Sequence, residues 1–201
     1  MEINAPEATD TLVRKVGRIM YHKQANKTAI QSQHMIADAL FSLLKRKSFQ
    51  QVTVTEICEE AAIGRKTFYR NFELKEDVID FRLDRLCEEF EKEIMGKSSD
   101  EQLYLFFSFS HNHMDYFLTM YKNGLSPLLE QKFSKFLPDT MPIWSENPIE
   151  QEYYSRFVIA GILAILEVWV KRGFQENIEK VVSLAQQIQT SERSAKSINS
   201  I

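Results

Sequence analysis

Clustered glycines, paired cysteine motifs and long apolar runs are all missing from this sequence. Its six glycines stand apart from one another, so neither a P-loop nor a dinucleotide-binding fingerprint can form, because both need several glycines where the backbone approaches phosphate. HExxH, CxxC and GxSxG motifs do not occur either. The sequence therefore lacks the simple signatures of nucleotide-dependent, zinc-dependent and serine-nucleophile enzymes.

Few features point to export or to a membrane. Two cysteines, Cys58 and Cys87, cannot make a disulfide framework, and a reducing cytoplasm is the default compartment for such a chain. The first ten residues are acidic and polar, unlike a secretory signal. The longest apolar stretch, Phe157 to Val170, has fourteen residues, whereas a membrane span needs about 20. We expect a cytoplasmic protein with no membrane partner.

The composition favours an all-α fold. Apolar residues make up 44% of the 201-residue chain, which is enough for a sizeable core in one or two domains. Fourteen phenylalanines against six glycines and five prolines indicate a helix-rich interior rather than a turn-rich β protein. Helical spacing of apolar residues predicts about nine helices along the chain.

Charge is distributed unevenly. Between Leu12 and Lys75 there are twelve Lys or Arg residues and five Asp or Glu residues, a segment charge of +7. Because the whole chain carries −3, the remainder carries −10. A basic first third on an acidic body favours a head that binds a polyanion. The alternative on charge alone is that these cations only decorate solvated helix faces.

Two short helices joined by a tight turn are predicted within this basic segment. After an amphipathic helix over residues 28–47, Thr53 and Glu56 form a Thr-x-x-Glu capping box that starts the first short helix. Gly64 is expected to end that helix in the left-handed conformation. The second short helix is predicted over 65–71. Such a pair is typical of a helix-turn-helix, whose second helix enters the major groove of DNA.

The second short helix has an apolar side and a cationic side. Phe68 and Phe72 lie four positions apart and therefore share one face. The remaining side chains point outward and can donate to guanine edges, contact a thymine methyl or reach phosphates. They are Arg65, Lys66, Thr67, Tyr69 and Arg70.

The segment from Thr53 to Asp77 resembles the TetR/AcrR family of transcriptional regulators. The resemblance covers about residues 27–90. The family signature is matched at Thr53, Ile57, Ala61, Gly64, Thr67, Phe68, Tyr69, Phe72, Lys75 and Glu76. An N-terminal extension is longer than the few residues that usually precede the first helix of this family.

The resemblance implies a homodimer that reads a palindromic operator in double-stranded DNA and usually represses transcription. Arg65 and Thr67 are predicted to read base edges, and the other cations to contact phosphates. The predicted DNA-binding residues are Lys27, Thr53, Thr55, Arg65, Lys66, Thr67, Tyr69, Arg70 and Lys75.

The predicted eighth helix starts at Asn147-Pro148, ends at Arg172-Gly173 and is apolar almost all the way round. This pattern favours burial against both its own body and a second chain. The resemblance implies a four-helix bundle made by the last two helices of each chain. The pattern Gly161…Trp169…Gly173 further resembles a subgroup that includes regulators of dihydroxyacetone kinase operons. The predicted dimer interface comprises Phe157, Gly161, Ile165, Trp169, Val181 and Ile188.

Aromatic and methionine side chains in the body are numerous enough to line an apolar effector pocket, although they equally suit a filled core. His111 and His113 lie two apart and face away from one another on a helix, so no metal site or other cofactor is expected. The predicted pocket residues are Phe106, Phe109, His113, Met114, Phe117, Tyr121, Trp144 and Phe157.

We therefore predict four segments. They are an N-terminal extension over 1–26 with a possible short helix, a helix-turn-helix domain over 27–75, a helical regulatory and dimerisation domain over 76–189, and a flexible tail over 190–201. The basic face of the extension either lies along a phosphate backbone or forms a solvated arm. The alternative functions are an all-α enzyme and a helical interaction module or coregulator that does not depend on an effector or has lost DNA binding.

Overall fold

The structure is a computed structural model that describes residues 27–137 and 145–198, with side chains described up to residue 188. Within these ranges the chain forms nine α-helices, one short 3-10 helix and no strand, so the predicted all-α class is confirmed. The 3-10 helix is Phe49–Gln51. The α-helices are α1 Lys27–Leu44, α2 Val54–Glu60, α3 Arg65–Asn71, α4 Lys75–Ile94, α5 Ser99–Asn112, α6 Met114–Lys122, α7 Ser126–Phe136, α8 Pro148–Lys171 and α9 Ile178–Ile198.

Side-chain caps fix where several of these helices begin. The Thr53 hydroxyl accepts a hydrogen bond from the backbone N–H of Glu56, which completes the predicted capping box of α2. Ser98 and Glu101 form the same arrangement at the start of α5. The Asn147 side chain accepts from the Ile149 N–H at the start of α8, where Pro148 is the first helical residue. Each cap satisfies backbone donors that have no partner inside the helix.

Among the described residues, the first compact unit comprises 27–86 and 123–128. Its described core is built from fully buried side chains of α1 to α4, including Ile36, Ile57 and Phe68. Phe81 of α4 lies 5.7 Å from Phe72, measured between ring centroids. Because α4 contributes such residues to this core, the unit extends to Leu86, past the boundary predicted at 75/76.

Asn123, which follows α6 in the chain, also belongs to the first unit. Its side-chain Oδ1 accepts from the Phe49 N–H at 2.9 Å, and its Nδ2 donates to the Leu44 carbonyl at 3.2 Å. One amide group therefore holds both the end of α1 and the start of the 3-10 helix. This role could not be predicted from the sequence, because Asn123 precedes Gly124 and its position indicates only a helix end.

Among the described residues, the second unit comprises 87–122, 129–137 and 145–198. Its core is rich in aromatic rings that pack edge to face or stacked. Phe106 lies 5.8 Å from Phe90 and 5.7 Å from Phe133, and Phe117 stacks on Phe133 at 6.5 Å. These contacts join α4, α5, α6 and α7 within one core.

The structure describes only part of the two predicted end segments. The predicted extension over residues 1–26 lies outside the described residues. Helix α9 continues to Ile198, so the tail predicted from residue 190 is helical over most of its length.

The turn of the helix-turn-helix contradicts one prediction. Ala62, not Gly64, adopts the left-handed conformation, with φ of 52°, whereas Gly64 has φ of −79° and caps the start of α3. The Ile63 N–H donates to the Cys58 carbonyl and the Ala62 N–H donates to the Glu59 carbonyl, which together form a Schellman motif. The motif places the left-handed residue two positions before the glycine.

Ala62→Gly is expected to stabilise the protein. A left-handed alanine is strained by its Cβ, so we expect glycine to raise the free energy of unfolding by about 0.5–1 kcal/mol. Chemical denaturation of both proteins measures the difference. As a control, Ala61→Gly changes a neighbour in the right-handed region, where we expect a loss of stability of about 1 kcal/mol. Equal destabilisation by both substitutions would contradict strain at Ala62.

Candidate nucleic-acid interface

Helix α3 presents a cationic surface. The helix has the sequence RKTFYRN and contains no acidic residue. Arg65, Lys66 and Arg70 are exposed, and Tyr69 is 54% exposed. The Tyr69 ring meets the buried Phe68 ring edge to face at 5.5 Å, which orients it on the helix surface.

The inner side of α3 is fixed by two phenylalanines. Phe68 and Phe72 are fully buried, and their ring centroids lie 5.9 Å apart. Asn71, also buried, donates to the Thr67 carbonyl at 2.8 Å. Thr67 itself is half-buried. Because the apolar face is held from behind, the cationic side chains are directed away from the core, as predicted.

Two of the three acidic groups of α2 are paired with cations that follow α1. Glu56 forms an ion pair with Lys47, and Glu60 forms one with Arg46 at 3.0 Å. Hydrogen bonding from Lys47 and then from Thr53 lowers the pKa of the Glu56 carboxyl to about 2. These carboxylates therefore stay charged near neutral pH and are already partnered.

The cations of α3 are left without such partners. Over residues 27–137 and 145–188, no carboxylate lies within ion-pair distance of Arg65, Lys66 or Arg70. Their charge is therefore available to an external anion. A phosphate backbone supplies closely spaced anions, and guanine edges accept hydrogen bonds from Arg and Lys.

Thr55 and Arg65 meet at the exposed ends of the two short helices. Nη2 of Arg65 donates to Oγ1 of Thr55 at 2.7 Å. Thr55 is half-buried, whereas Arg65 is exposed. The structure thus brings together two residues that the sequence placed in the DNA-binding set separately.

The structure corrects the prediction that Lys75 contacts a phosphate. Its ammonium donates to the carbonyls of Phe49 at 2.6 Å and Val52 at 2.7 Å, and it lies 4.6 Å from the centroid of the Phe49 ring. Burial lowers the pKa of the Lys75 ammonium. Lys75 is half-buried and its ammonium fastens the 3-10 helix, so its donors are already used within the unit and it is not placed as a phosphate contact.

Thr53 and Lys27 occupy different kinds of position. The Thr53 hydroxyl both accepts from the Glu56 N–H and donates to the Glu56 carboxylate, at 3.0 Å for the second bond. Its donor is therefore used within the capping box and is not free for a phosphate. Lys27 is exposed at the first residue of α1, where its role in DNA binding stays a prediction.

The predicted effector-pocket residues differ in exposure in the described part of the chain, and the pocket stays a prediction. Phe106, Phe109 and Phe117 are buried in the aromatic core. Met114 and Phe157 are exposed instead. Of the others, His113 packs on Phe109 at 4.3 Å, Tyr121 is half-buried and Trp144 lies outside the described residues.

The predicted dimer residues divide into two groups. Phe157, Gly161 and Ile188 are exposed, and Ile165 is half-buried. Two others are corrections, because Trp169 and Val181 are only 2% and 3% exposed and belong to the core of their own chain. Trp169 contacts the rings of Phe107, His111 and Phe174. Its indole N–H donates to the Glu176 carbonyl at 2.9 Å.

The histidines near position 112 have separate partners. His111 stacks on Trp169, whereas Nε2 of His113 lies 3.9 Å from a Glu89 carboxylate oxygen. Among the residues that the structure describes, no three His, Cys, Asp or Glu side chains are grouped as a metal site would require.

Lys75→Met tests the correction at that position. The substitution removes the ammonium from two half-buried carbonyls, so we expect a loss of about 1.5–3 kcal/mol in the free energy of unfolding. The salt dependence of DNA binding should not change, because no phosphate contact is lost. As a control, Lys66→Met should reduce the salt slope by about 1 and change stability by less than about 0.5 kcal/mol. The reverse pattern would return Lys75 to the DNA interface.

Two family profiles match the chain in sequence. Residues 36–80 match "Bacterial regulatory proteins, tetR family", and residues 87–191 match "Transcriptional regulator C-terminal region". The second match alone spans just over half of the 201 residues. Together they cover the described helix-turn-helix and most of the second unit.

Two curated relatives are similar over most of this chain. The HTH-type dhaKLM operon transcriptional activator DhaS of Lactococcus lactis is 26% identical, over 78% of this chain and 88% of the relative. The uncharacterized HTH-type transcriptional regulator YxbF of Bacillus subtilis is 24% identical over 73% of this chain. The match spans only 41% of YxbF, so this chain corresponds to less than half of that relative.

Solved structures share the fold. A TetR transcriptional regulator from Streptococcus agalactiae 2603V superposes with a TM-score of 0.62 at 16% identity, over 81% of this chain and 95% of the other. The dihydroxyacetone kinase operon activator DhaS gives 0.55 at 20% identity, over 81% and 96%. With the two family profiles, these likenesses confirm the resemblance read from the sequence. The chain belongs to the TetR family of bacterial transcriptional regulators, and it is a helix-turn-helix regulator and not an enzyme.

Proposed function

We propose that the protein acts as a homodimer that binds a palindromic operator through two copies of α3. The observation that carries the proposal is the separation of charge in the first unit, where Glu56 and Glu60 of α2 are paired and, among the described residues, the cations of α3 are not. Phosphate contacts from these cations supply salt-dependent affinity. Arg65 and Thr67 stand at the N-terminal half of α3, the part of a recognition helix that contacts base edges.

An exposed apolar stripe on α8 supports the homodimer. Tyr153, Phe157 and Val168 are 75%, 60% and 58% exposed and fall on one face at helical spacing. Gly161 lies between them, and a Cβ at that position would meet nothing within 4 Å in its own chain. The glycine is therefore not needed by packing within the protomer, and it leaves room for a second helix to approach.

The second copy is the occupant that fits this stripe. Contiguous apolar stripes are rarely left exposed to solvent in a monomer. Ile188 of α9 is also exposed, so both last helices offer apolar surface. A two-fold interface pairs the same patch with itself, which gives inverted heads that match a palindromic site.

By length and composition, α8 is also apolar enough to cross a membrane, with about a third of its most apolar window buried. The same exposed residues suit either lipid or a second helix. The helix lies inside the matched C-terminal region of a transcriptional regulator, which favours the second helix. The proposal accordingly places the protein in the cytoplasm, where its DNA partner is.

The effector and the sign of regulation stay predictions. Repression and a small hydrophobic effector are implied by the family resemblance. No contact in the described part of the structure supports either of them. The relative DhaS is named an operon activator, so family membership is compatible with either sign. The alternative of an interaction module without DNA binding is decided by the next experiment.

Operator selection from random duplexes, followed by gel-shift titration at rising salt, tests DNA binding. We expect sequence-selective binding whose affinity falls steeply with salt. Arg65→Ala should relax discrimination at one base pair of each half-site by about 1–3 kcal/mol. Lys135→Ala serves as a control, because it removes an exposed cation of α7 and should leave selectivity unchanged. Absence of any selective shift would support the interaction module instead.

Phe157→Glu is expected to separate the dimer. A carboxylate in the apolar stripe must be desolvated on association, so the dimer dissociation constant should rise at least about 30-fold, or 2 kcal/mol. Sedimentation velocity over a concentration series measures it. Tyr104→Glu replaces another exposed aromatic outside the stripe and should not change assembly. If the two variants sediment alike as dimers, the stripe on α8 is not the interface.

A further inference from the structure

A side-chain hydrogen bond joins Thr55 of α2 to Arg65 of α3. The two residues are ten positions apart, and the distance between Arg65 Nη2 and Thr55 Oγ1 is 2.7 Å. Thr55 is the second residue of α2, and Arg65 is the first residue of α3. The hydroxyl thus holds the guanidinium at the end of the recognition helix that approaches base edges.

The partner is neutral, and this matters for what Arg65 can do. A carboxylate at the same place would compete with DNA for the guanidinium charge. Thr55 fixes one N–H of Arg65 without neutralising it, and an arginine has five such donors in a rigid plane. Two of the remaining four suffice for a bidentate contact to the O6 and N7 atoms of guanine.

Holding a long side chain in place also affects the free energy with which it discriminates between bases. A free arginine loses rotamer entropy when it is immobilised. A side chain that is already held in the unbound protein loses less on binding, so more of the hydrogen-bond energy appears as discrimination. The half-buried position of Thr55 provides the fixed point, because its own backbone lies in the first turn of α2.

We propose that Thr55 is a specificity-determining residue that acts through Arg65, holding its guanidinium in place to read a guanine in each half-site. The inference rests on the proposed DNA-binding function. Thr55 is a positioning residue here, and Arg65 is the residue that touches the base. The predicted role of Thr55 as a separate DNA contact is the competing account.

A double-mutant cycle distinguishes these accounts. Affinities of the full-length wild type, Thr55→Val, Arg65→Ala and the double variant are measured on the selected operator and on an operator changed at the base pair where Arg65→Ala loses discrimination. We expect Thr55→Val to reduce discrimination there about five- to twentyfold, within the range of one bidentate contact. In the Arg65→Ala background it should change discrimination less than twofold. The salt slope should stay that of the wild type.

Two further variants separate positioning from general damage. Thr55→Ser keeps the hydroxyl and should retain discrimination within threefold of the wild type. Thr67→Val makes the same chemical change on α3 itself, and its effect should add to that of Arg65→Ala. Thermal unfolding of each variant checks that the fold is retained.

Three outcomes would overturn the inference. They are additive effects of Thr55→Val and Arg65→Ala, unchanged discrimination in Thr55→Val, and failure of Thr55→Ser to retain discrimination. Each of them leaves the proposed function standing, because the wild type still selects an operator. Failure of the proposed function is a different result, in which the wild type itself shows no selective binding.

Discussion

The burial of Phe68 and Phe72 beneath α3 is the constraint on which the rest of the first unit depends. Each ring contributes about 1.5–3 kcal/mol when it is removed from water, so α3 cannot rotate without a large loss. Phe72 also meets Phe81, which ties the start of α4 to the same core. The outer surface of α3 is therefore fixed in direction by residues that never reach solvent, and its own composition is free to serve binding.

Charge pairing within the unit follows a consistent division. Two carboxylates of α2, Glu56 and Glu60, pair with cations that follow α1, while the cations of α3 have no such partners among the described residues. A chain with net charge −3 can in this way carry a locally positive surface. Net charge alone would have suggested a protein that avoids DNA, whereas the local distribution decides which surface meets a polyanion.

Sequence reasoning succeeded where the signal is local. Capping residues such as Thr53 and Asn147, and the spacing of Phe68 and Phe72, located helix ends and the inner face of α3 because these features act over a few residues. It failed where the deciding contact is distant. Lys75 has the residue type of a phosphate contact, but its ammonium meets carbonyls more than 20 positions earlier in the chain. Trp169 lies on an apolar helix, and only tertiary packing shows that it faces inward.

The position of Asn123 has a consequence for how this protein can be divided. A fragment that stops after Leu86 contains every helix of the DNA-binding head, yet it lacks the amide group that holds the Leu44 carbonyl and the Phe49 N–H. Both backbone groups would then need water as a partner. No single cut in the chain therefore separates the first unit from the second, because residues 123–128 are a structural part of the first unit.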